Sequence, residues 1–318
     1  MHWLDRLYAA AVARPRFFQG GWGDLGAAGD LFEFVRTPRE PAPIRTVVRR
    51  IADISGLHVY EGSFESPSAG LPRESRRAYF ELLLPPDRAD APVCVYLAAT
   101  GEEDGSRRRR LALPLVRMGI GALLLDNPFY GRRRPAGQIG GDLRRVADQF
   151  AMNRATIEEA RALLGWLRTH GHTHVGVSGY SMGGSMAAYT AVCTPFPIVT
   201  IPAAAGSSAA TLMTCNILSR QVHWTHLGEP REAKRRLASA LDAVALHELP
   251  LPSDPRRVVL VGYQRDGYVD PDGVERLHRH WVGSTLRWVN TGHVAGITIH
   301  AAVLRRAIAD AFERSEPL

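Results

Sequence analysis

The sequence has too few cysteines for a disulfide framework or a zinc cluster. Its 318 residues include three, Cys94, Cys193 and Cys215, and they lie far apart along the chain. Disulfide-stabilised domains and cysteine-ligated zinc sites need closely spaced groups of about four or more. The sequence therefore suits a reducing compartment, and we expect a cytoplasmic protein without a metal site.

The chain also lacks an apolar run long enough to cross a membrane. Residues 169–219 contain no Asp, Glu, Lys or Arg, but glycines and prolines such as Gly176, Pro195 and Pro202 divide them into short pieces. A transmembrane helix needs about 20 consecutive apolar residues. Strands buried on both faces of a parallel sheet have the observed composition instead. The uncharged stretch therefore predicts the centre of an α/β sheet.

Lysine is nearly absent, since Lys234 is the only lysine among 39 basic residues. The net charge is nevertheless +7, which favours anionic partners. Because no nucleic-acid-binding motif is present, we do not expect a nucleic-acid partner. Two arginine runs, at 107–110 and 132–134, each follow a predicted strand. They are typical either of a solvated helix start and loop or of a rim that attracts anionic headgroups, and the second interpretation predicts peripheral contact with an anionic membrane.

The first residues predict a short amphipathic helix rather than a signal peptide. Asp5 interrupts the charged start, and the apolar run after it is at the lower limit of length. Leu4, Leu7, Tyr8 and Ala11 recur at helical spacing. We expect this helix to pack on the body of the protein; the alternative is a membrane-surface or targeting helix.

Strand and helix patterns alternate from residue 93 onwards. The predicted strands are short runs rich in apolar residues, at 57–64, 78–84, 93–98, 120–126, 175–178, 198–201, 258–261 and 286–289. The predicted helices lie at 106–118, 142–167, 182–190, 211–218, 230–246 and 295–312. This alternation predicts an α/β fold with a mostly parallel central sheet and helices on both faces.

Three regions follow from this pattern. Residues 1–56, irregular from residue 20, form an N-terminal extension packed on the core. Residues 57–206 and 251–318 form the α/β core. The connection of residues 207–250 is too long for a simple crossover and predicts a small helical cap over one end of the sheet.

Residues 179–183, Gly-Tyr-Ser-Met-Gly, match the pattern G-x-S-x-G. A predicted strand precedes them and a helix rich in small residues follows, which is the strand–turn–helix setting of a nucleophile elbow. The turn is so sharp that the residues two before and two after the serine must be tiny, and both are glycine. Ser181 is therefore the candidate nucleophile.

A serine hydroxyl needs an adjacent base to act as a nucleophile. In this fold an acid and then a histidine follow the serine along the chain. His293 follows the last predicted strand and is the candidate base. Asp266 is the first aspartate after the preceding strand and is the favoured acid, with Asp270 as the alternative. The acid would hold the imidazole in the correct tautomer and stabilise its protonated form.

Two backbone amides are the candidate oxyanion donors. Met182 follows the nucleophile, and Thr100 lies in the loop after the central strand, which are the two positions that form an oxyanion hole in this fold. Tyr180, Asn127 and Tyr130 are the candidates for substrate contact. Tyr180 adjoins the serine, and the other two lie in the loop after strand 120–126, which would shape the floor of the pocket.

Several segments together resemble the α/β-hydrolase domain-containing protein 18 family. They are GWG and LFEF within 21–34, LAATGEEDGSRRRR at 97–110, LLLDNPFYGRRRP at 123–135, GYSMGGSMA at 179–187 and ADAFER at 309–314. The resemblance spans nearly the whole chain. It implies an α/β-hydrolase fold, a serine-hydrolase triad of Ser181, Asp266 and His293, and lipid-type esters as the substrate class.

The residues and the resemblance together predict a serine hydrolase that cleaves carboxylic esters through an acyl-enzyme intermediate, without a cofactor or metal ion. The expected partner is a small-molecule or lipid ester, which suggests a role in lipid metabolism. The same residues would serve a peptidase, a thioesterase or an acyltransferase. A protein of this fold that binds a lipid or a partner without catalysis is the remaining alternative.

Overall fold

The computed structural model describes residues 1–11, 14–54, 56–86, 88 and 90–315. Within these ranges the chain forms a nine-stranded sheet covered by helices. The strands are β1 (Val47–Ile54), β2 (Leu57–Glu65), β3 (Arg77–Leu84), β4 (Val93–Leu97), β5 (Gly121–Leu125), β6 (Val175–Tyr180), β7 (Val199–Ala203), β8 (Val259–Tyr263) and β9 (Thr285–Val289). The α-helices are α1 (Trp3–Ala11), α2 (Gly26–Val35), α3 (Ser106–Arg117), α4 (Val146–Thr169), α5 (Met182–Cys193), α6 (Ala210–Thr214), α7 (Pro230–Asp242), α8 (Pro271–His280), α9 (His293–Thr298) and α10 (Ala301–Arg314).

The order of the strands across the sheet reverses at β4. It runs β1-β2-β3-β5-β4-β6-β7-β8-β9, with β4 to β9 parallel and β1 to β3 antiparallel to their neighbours. In open α/β sheets, ligands bind beyond the carboxyl ends of the strands at such a reversal. Leu97 at the end of β4 pairs with Gly179 near the end of β6, so the loop after β4 begins beside the G-x-S-x-G segment.

The central strands consist of apolar residues because helices cover both of their faces. Every residue of β4 and β5 is buried. Alternate residues of β4 belong to two separate apolar clusters, with Val93, Val95 and Leu97 in one and Cys94 and Tyr96 in the other. Helices α4 and α5 complete the first cluster, and α3 and α10 complete the second. The observed architecture is thus the mostly parallel α/β sheet that the sequence predicts.

The segment 20–56, predicted to be irregular, contains helix α2 and strand β1. Strand β1 pairs with β2 at the edge of the sheet, so the sheet begins before residue 57, inside the segment that the sequence assigns to the N-terminal extension. The sequence hides this strand because most of its residues are exposed and Arg49, Arg50 and Asp53 interrupt any apolar alternation. Arg49 forms an ion pair of 2.8 Å with Glu61 on β2.

Several helix boundaries also differ from the predicted ones. Helix α4 begins at Val146 rather than at residue 142, and the single helix predicted at 295–312 is the pair α9 and α10. Between β7 and β8 the chain forms α6, α7 and short 3-10 turns, and α7 packs inwards through Leu237 and Leu241. None of the described helices is both long enough and apolar enough to span a membrane.

Candidate active site

Ser181 occupies a sharp turn between β6 and α5. Its φ of 58° and ψ of −119° lie in a region that residues with a side chain rarely adopt. Its amide donates a hydrogen bond of 2.9 Å to the carbonyl of Ala203, and its carbonyl accepts one of 3.0 Å from Ser185. The turn sets the serine at the amino end of a helix and at the carboxyl edge of the sheet, which is the geometry of a nucleophile elbow.

Glycines make room for this turn. A Cβ atom on Gly179 would overlap the carbonyl of Gly183, and one on Gly184 would overlap the backbone of β7. A Cβ atom on Gly183 would overlap the carbonyl of Leu97 and stand 2.9 Å from the carbonyl of Ala98. The elbow is therefore packed directly against the loop that follows β4.

A cavity of about 180 Å³ opens beside Ser181. Its wall mixes polar and apolar groups, and the polar side chains come from α5, the segment after β7, α6, α7 and α8: Ser185, Ser207, Ser208, Thr211, Asp242 and Arg276. A second cavity, of about 20 Å³, lies between Tyr180, the loop after β4 and Ile297. Among the described residues, no group of three or more His, Cys, Asp or Glu side chains is arranged to hold a metal ion.

The imidazole of His293 contacts the carboxylate of Asp266. Nδ1 of His293 lies 2.8 Å from Oδ2 of Asp266, and the side chains are 12% and 2% exposed. The other carboxylate oxygen accepts hydrogen bonds from the amides of Tyr268 and Val269, at 2.8 and 2.9 Å. Because the backbone fixes this carboxylate, the carboxylate can in turn fix the orientation and tautomer of the imidazole.

Asp270, the alternative acid, has a different place. It is the N-cap of α8, and its Oδ1 accepts a hydrogen bond of 3.1 Å from the amide of Asp272. It also lines the larger cavity. The structure therefore brings Asp266, and not Asp270, to His293.

Two tyrosines adjoin the imidazole of His293. The hydroxyl of Tyr180 donates a hydrogen bond of 2.5 Å to the carbonyl of His293, and the ring centroids are 5.2 Å apart. The ring of Tyr268 lies 4.8 Å from the imidazole. Burial raises the pKa of the Tyr180 phenol well above its ordinary value, so the hydroxyl remains a donor. Tyr180 thus ties the strand that leads into Ser181 to the loop of His293.

The reacting atoms of the predicted pair are free of internal partners. Neither Oγ of Ser181 nor Nε2 of His293 makes a hydrogen bond to another residue that the structure describes. In enzymes without bound substrate, catalytic hydrogen bonds are often long and tighten only in the complex. Ser181 lines the larger cavity, whereas His293 lines neither described cavity, so a contact between the two side chains stays a prediction.

The predicted oxyanion donors are likewise unoccupied. Within the described part of the chain, the amides of Thr100 and Met182 donate to no other residue, whereas the amide of Ala99 donates to Oε2 of Glu102 at 3.1 Å. Glu102 also forms an ion pair of 2.8 Å with Arg108, and both side chains are nearly buried. This pair, which the sequence did not reveal, holds the loop while leaving the Thr100 amide free.

Tyr130 links the two segments that carry these amides. Its hydroxyl donates to Sδ of Met182 at 3.9 Å and lies beside the backbone of Gly101. Burial raises the pKa of this phenol, so it keeps its proton. Tyr130 lines neither described cavity, and its contact is with the side chain of Met182 instead.

Asn127 accepts a backbone hydrogen bond of 3.3 Å from Tyr130 but lies outside both described cavities. Its side-chain amide donates to the carbonyl of Pro128 at 2.9 Å, and its Oδ1 accepts from Thr156 of α4 at 3.2 Å. Because these contacts occupy its polar atoms within the core, Asn127 does not face either described cavity. Of the three predicted substrate contacts, Tyr180 alone lines one of these cavities.

Most arginines of the two runs form ion pairs with carboxylates. Arg133 is fully buried against Glu159, with an N–O distance of 2.6 Å. The other pairs are Arg108 with Glu102, Arg109 with Glu81, Arg132 with Glu61 and Asp126, and Arg134 with Glu103. Among the described residues, Arg107 and Arg110 are the members of the runs without an ion pair. The runs thus mainly connect structural elements to one another.

Solved structures of several esterases share this fold. Acetyl xylan esterase 1 of Thermoanaerobacterium sp. JW/SL YS485 is 15% identical, with a TM-score of 0.64 over 91% of this chain and 98% of that chain. The acetyl xylan esterase of Paenibacillus sp. R4 is 16% identical, with a TM-score of 0.62 over 94% of this chain and 98% of that chain. Esterase Est22 is 15% identical, with a TM-score of 0.54 over 82% of each chain. These similarities show an α/β-hydrolase fold.

A family model described as alpha/beta hydrolase domain containing 18 matches two ranges of the chain, 15–235 and 228–314. The matched ranges include the elbow, the Asp266 loop and the His293 loop, and they exclude α1. Since they cover most of the sequence, the chain belongs to the alpha/beta hydrolase domain containing 18 family.

Proposed function

We propose that the protein is a serine hydrolase that cleaves carboxylic esters with Ser181 as nucleophile, His293 as general base and Asp266 as the residue that orients the base. The observation that carries this proposal is the Asp266–His293 hydrogen bond of 2.8 Å beside the elbow that exposes Ser181. Membership in an α/β-hydrolase family supports the same reaction class. Tyr180 supports it as well, since this neighbour of Ser181 binds the carbonyl of His293.

In the first half of the reaction, Nε2 of His293 takes the proton of Ser181 and Oγ attacks the ester carbonyl carbon. The amides of Met182 and Thr100 hold the negative oxygen of the tetrahedral intermediate. The imidazolium then gives its proton to the departing alcohol. A water molecule, deprotonated by the same imidazole, attacks the acyl-enzyme; the bond to Oγ of Ser181 breaks, the imidazolium returns the proton to Oγ, and the acid is released.

The larger cavity favours esters with a short acyl group. Its volume is about 180 Å³ and its wall is rich in hydroxyl groups, including those of Ser185, Ser207 and Thr211. A cavity of this size has no room for a long acyl chain, and its hydroxyl groups can bind a polar alcohol by hydrogen bonds. A short acyl group on a polar alcohol is therefore the first substrate class to test.

A lipid-type ester, expected from the sequence, is the second candidate, and the surface of α1 favours it. Trp3 and Leu7 on this helix are each 63% exposed, and Tyr8 is 50% exposed. Exposed aromatic and aliphatic residues on one helix are typical of contact with a lipid interface. In that case the acyl chain of the substrate would lie along this surface, outside the cavity.

A fluorophosphonate probe tests the proposal, because it reacts covalently with activated serines. We expect labelling at Ser181, located by mass spectrometry, and a parallel loss of ester hydrolysis. Ser181→Ala should abolish labelling. Ser185→Ala, which removes a hydroxyl from the same cavity, should still be labelled at Ser181. Absence of labelling in folded wild-type protein would favour the non-catalytic lipid- or partner-binding alternative.

A panel of substrates then separates the remaining classes. p-Nitrophenyl esters of increasing chain length, a thioester and a peptide amide are compared by kcat/KM, with and without neutral or anionic vesicles. A preference for short esters that vesicles do not change favours the cavity as the acyl site. A preference for long esters that rises with vesicles favours the lipid candidate, and a preference for the thioester or amide would replace the ester class.

A further inference from the structure

The N-terminal helix α1 lies directly on the two loops that carry Asp266 and His293. Asp5 is completely buried, and its carboxylate accepts three hydrogen bonds, each 2.9 Å long. Oδ2 accepts from the amides of Gly267 and His293, and Oδ1 accepts from the amide of Val294. One carboxylate therefore joins the residue after Asp266 to the residue that would act as base.

Asp5 also caps the short helix that begins at His293. The amides of His293 and Val294 are the first two of α9, and such amides have no acceptor within their own helix. The residue at the N-cap position is Gly292, which has no side chain to accept from them. Asp5 supplies the missing acceptor from another element, and its negative charge suits the positive end of a helix.

The two glycines beside Asp266 and His293 are explained by the same contact. A Cβ atom on Gly292 would overlap Cβ of His2 and stand 2.7 and 2.9 Å from the oxygens of Asp5. The φ of Gly292 is −97°, which any residue can adopt, so the close approach of α1 is what requires glycine there. A Cβ atom on Gly267 would stand 2.7 Å from Sδ of Met1.

Apolar side chains of α1 contact the same loops. Ala9 lies in a buried apolar cluster with Ile217 and Tyr268, and Val294 packs against this cluster. The ring of Tyr268 in turn adjoins the imidazole of His293. Helix α1 therefore touches both loops through apolar side chains as well as through the carboxylate of Asp5.

The residues before α1 also form a backbone contact with the loop of Asp266. The amide of His2 donates a hydrogen bond of 2.8 Å to the carbonyl of Arg265, the residue before Asp266. Asp5 is completely buried, and the backbone amides of the two loops occupy both oxygens of its carboxylate. Any effect of Asp5 on catalysis must therefore pass through the loops that it joins.

We propose that Asp5 is a positioning residue for catalysis. It keeps the loop of the base His293 in a fixed position relative to the loop of the acid Asp266. The proposal rests on the proposed function, since it assigns a role to Asp5 only through these two residues. Loss of the Asp5 carboxylate would leave three partly buried amides without this acceptor and would let α9 shift relative to Asp266. A displacement of about 1 Å is enough to slow an enzyme by up to about 100-fold.

The test compares Asp5→Ala and Asp5→Asn with Glu229→Ala in the full chain. Glu229 is the matched control, since its carboxylate also accepts two amides at a helix start, that of α7. The values of kcat and KM for p-nitrophenyl acetate are measured where circular dichroism shows every variant to be folded. We expect Asp5→Ala to lower kcat about tenfold with KM unchanged. Asp5→Asn should lower kcat less, because its carbonyl oxygen still accepts, and Glu229→Ala should change neither constant.

A second variant tests the contact between α1 and the loop of His293 by changing the loop instead of Asp5. Gly292→Ala should lower kcat, because its methyl group displaces α1. Combined with Asp5→Ala, it should add little further loss, since the contact is already broken. If Asp5→Ala does not fold, Asp5→Asn and Gly292→Ala decide the question in the same way.

The outcomes separate this proposal from the proposed function. Wild-type protein that neither hydrolyses the ester nor reacts with the fluorophosphonate would overturn both. Active wild-type protein together with folded Asp5 and Gly292 variants of unchanged kcat would overturn the positioning role alone. A rise in KM at constant kcat would also overturn it, because it would indicate a role in substrate binding.

Discussion

The nucleophile and the acid–base pair of the proposed site are held in place in different ways. Ser181 is fixed by its own neighbours in the chain, because Gly179 and Gly183 allow the sharp turn between β6 and α5. His293 and Asp266 lie on two loops that are joined by Asp5, a residue 288 positions away from His293 along the chain. The shape of the elbow is thus set mainly by residues near Ser181 in the chain, although it also packs on the loop after β4, whereas the acid–base pair is brought together by long-range contacts.

The largest loss of kcat is expected from a change in the acid–base pair. Asp266→Asn should lower kcat by about 10³ to 10⁴-fold, because an amide favours the wrong tautomer of the imidazole. Asp270→Asn is the matched variant, and it should lower kcat far less, since Asp270 does not contact His293 and asparagine caps a helix as well as aspartate does. Equal losses of kcat in the two variants would contradict the assignment of the acid.

The next effect tests the elbow. Gly183→Ala should lower kcat by about 100-fold and destabilise the protein by about 1–3 kcal/mol, because its methyl group would press on the loop after β4. Gly29→Ala in α2 is the control, since a Cβ atom there meets nothing within 4 Å. It should keep kcat and raise stability by up to about 1 kcal/mol. Wild-type kcat in Gly183→Ala would show that the elbow is less tightly packed than the structure indicates.

The smallest of the three effects is expected at the long-range contact, where Asp5→Ala should lower kcat about tenfold. This order follows from distance to the reacting atoms. Asp266 touches the base, Gly183 shapes the turn of the nucleophile, and Asp5 acts through backbone amides. If Asp5→Ala lowered kcat as strongly as Asp266→Asn, the relative position of the two loops would have to depend almost entirely on their contact with α1.

The sequence predicts the elbow well because its requirements are local. The glycines, the strand before the serine and the helix after it are all visible within about a dozen residues. The alternation of apolar runs likewise predicts the parallel strands β4 to β8, which are buried on both faces. The order of serine, acid and histidine along the chain is enough to select His293 and Asp266 as candidates for the base and the acid.

Features that depend on distant or exposed residues are not visible in the sequence. Strand β1 carries charged residues on an exposed edge, so no apolar alternation marks it. In the sequence Arg133 is one of three consecutive arginines, but in the structure it is buried and forms an ion pair with Glu159. From the sequence, Asp5 only argues against a signal peptide, and the folded chain alone shows the three amides that donate to it.

The most direct test of the account is a crystal structure of the protein after reaction with a fluorophosphonate. We expect phosphorus bonded to Oγ of Ser181, Nε2 of His293 within hydrogen-bonding distance of the bound group, and a phosphonyl oxygen facing the amides of Met182 and Thr100. Modification of a different residue, or an imidazole of His293 with no contact to the bound group, would contradict the proposed catalytic centre.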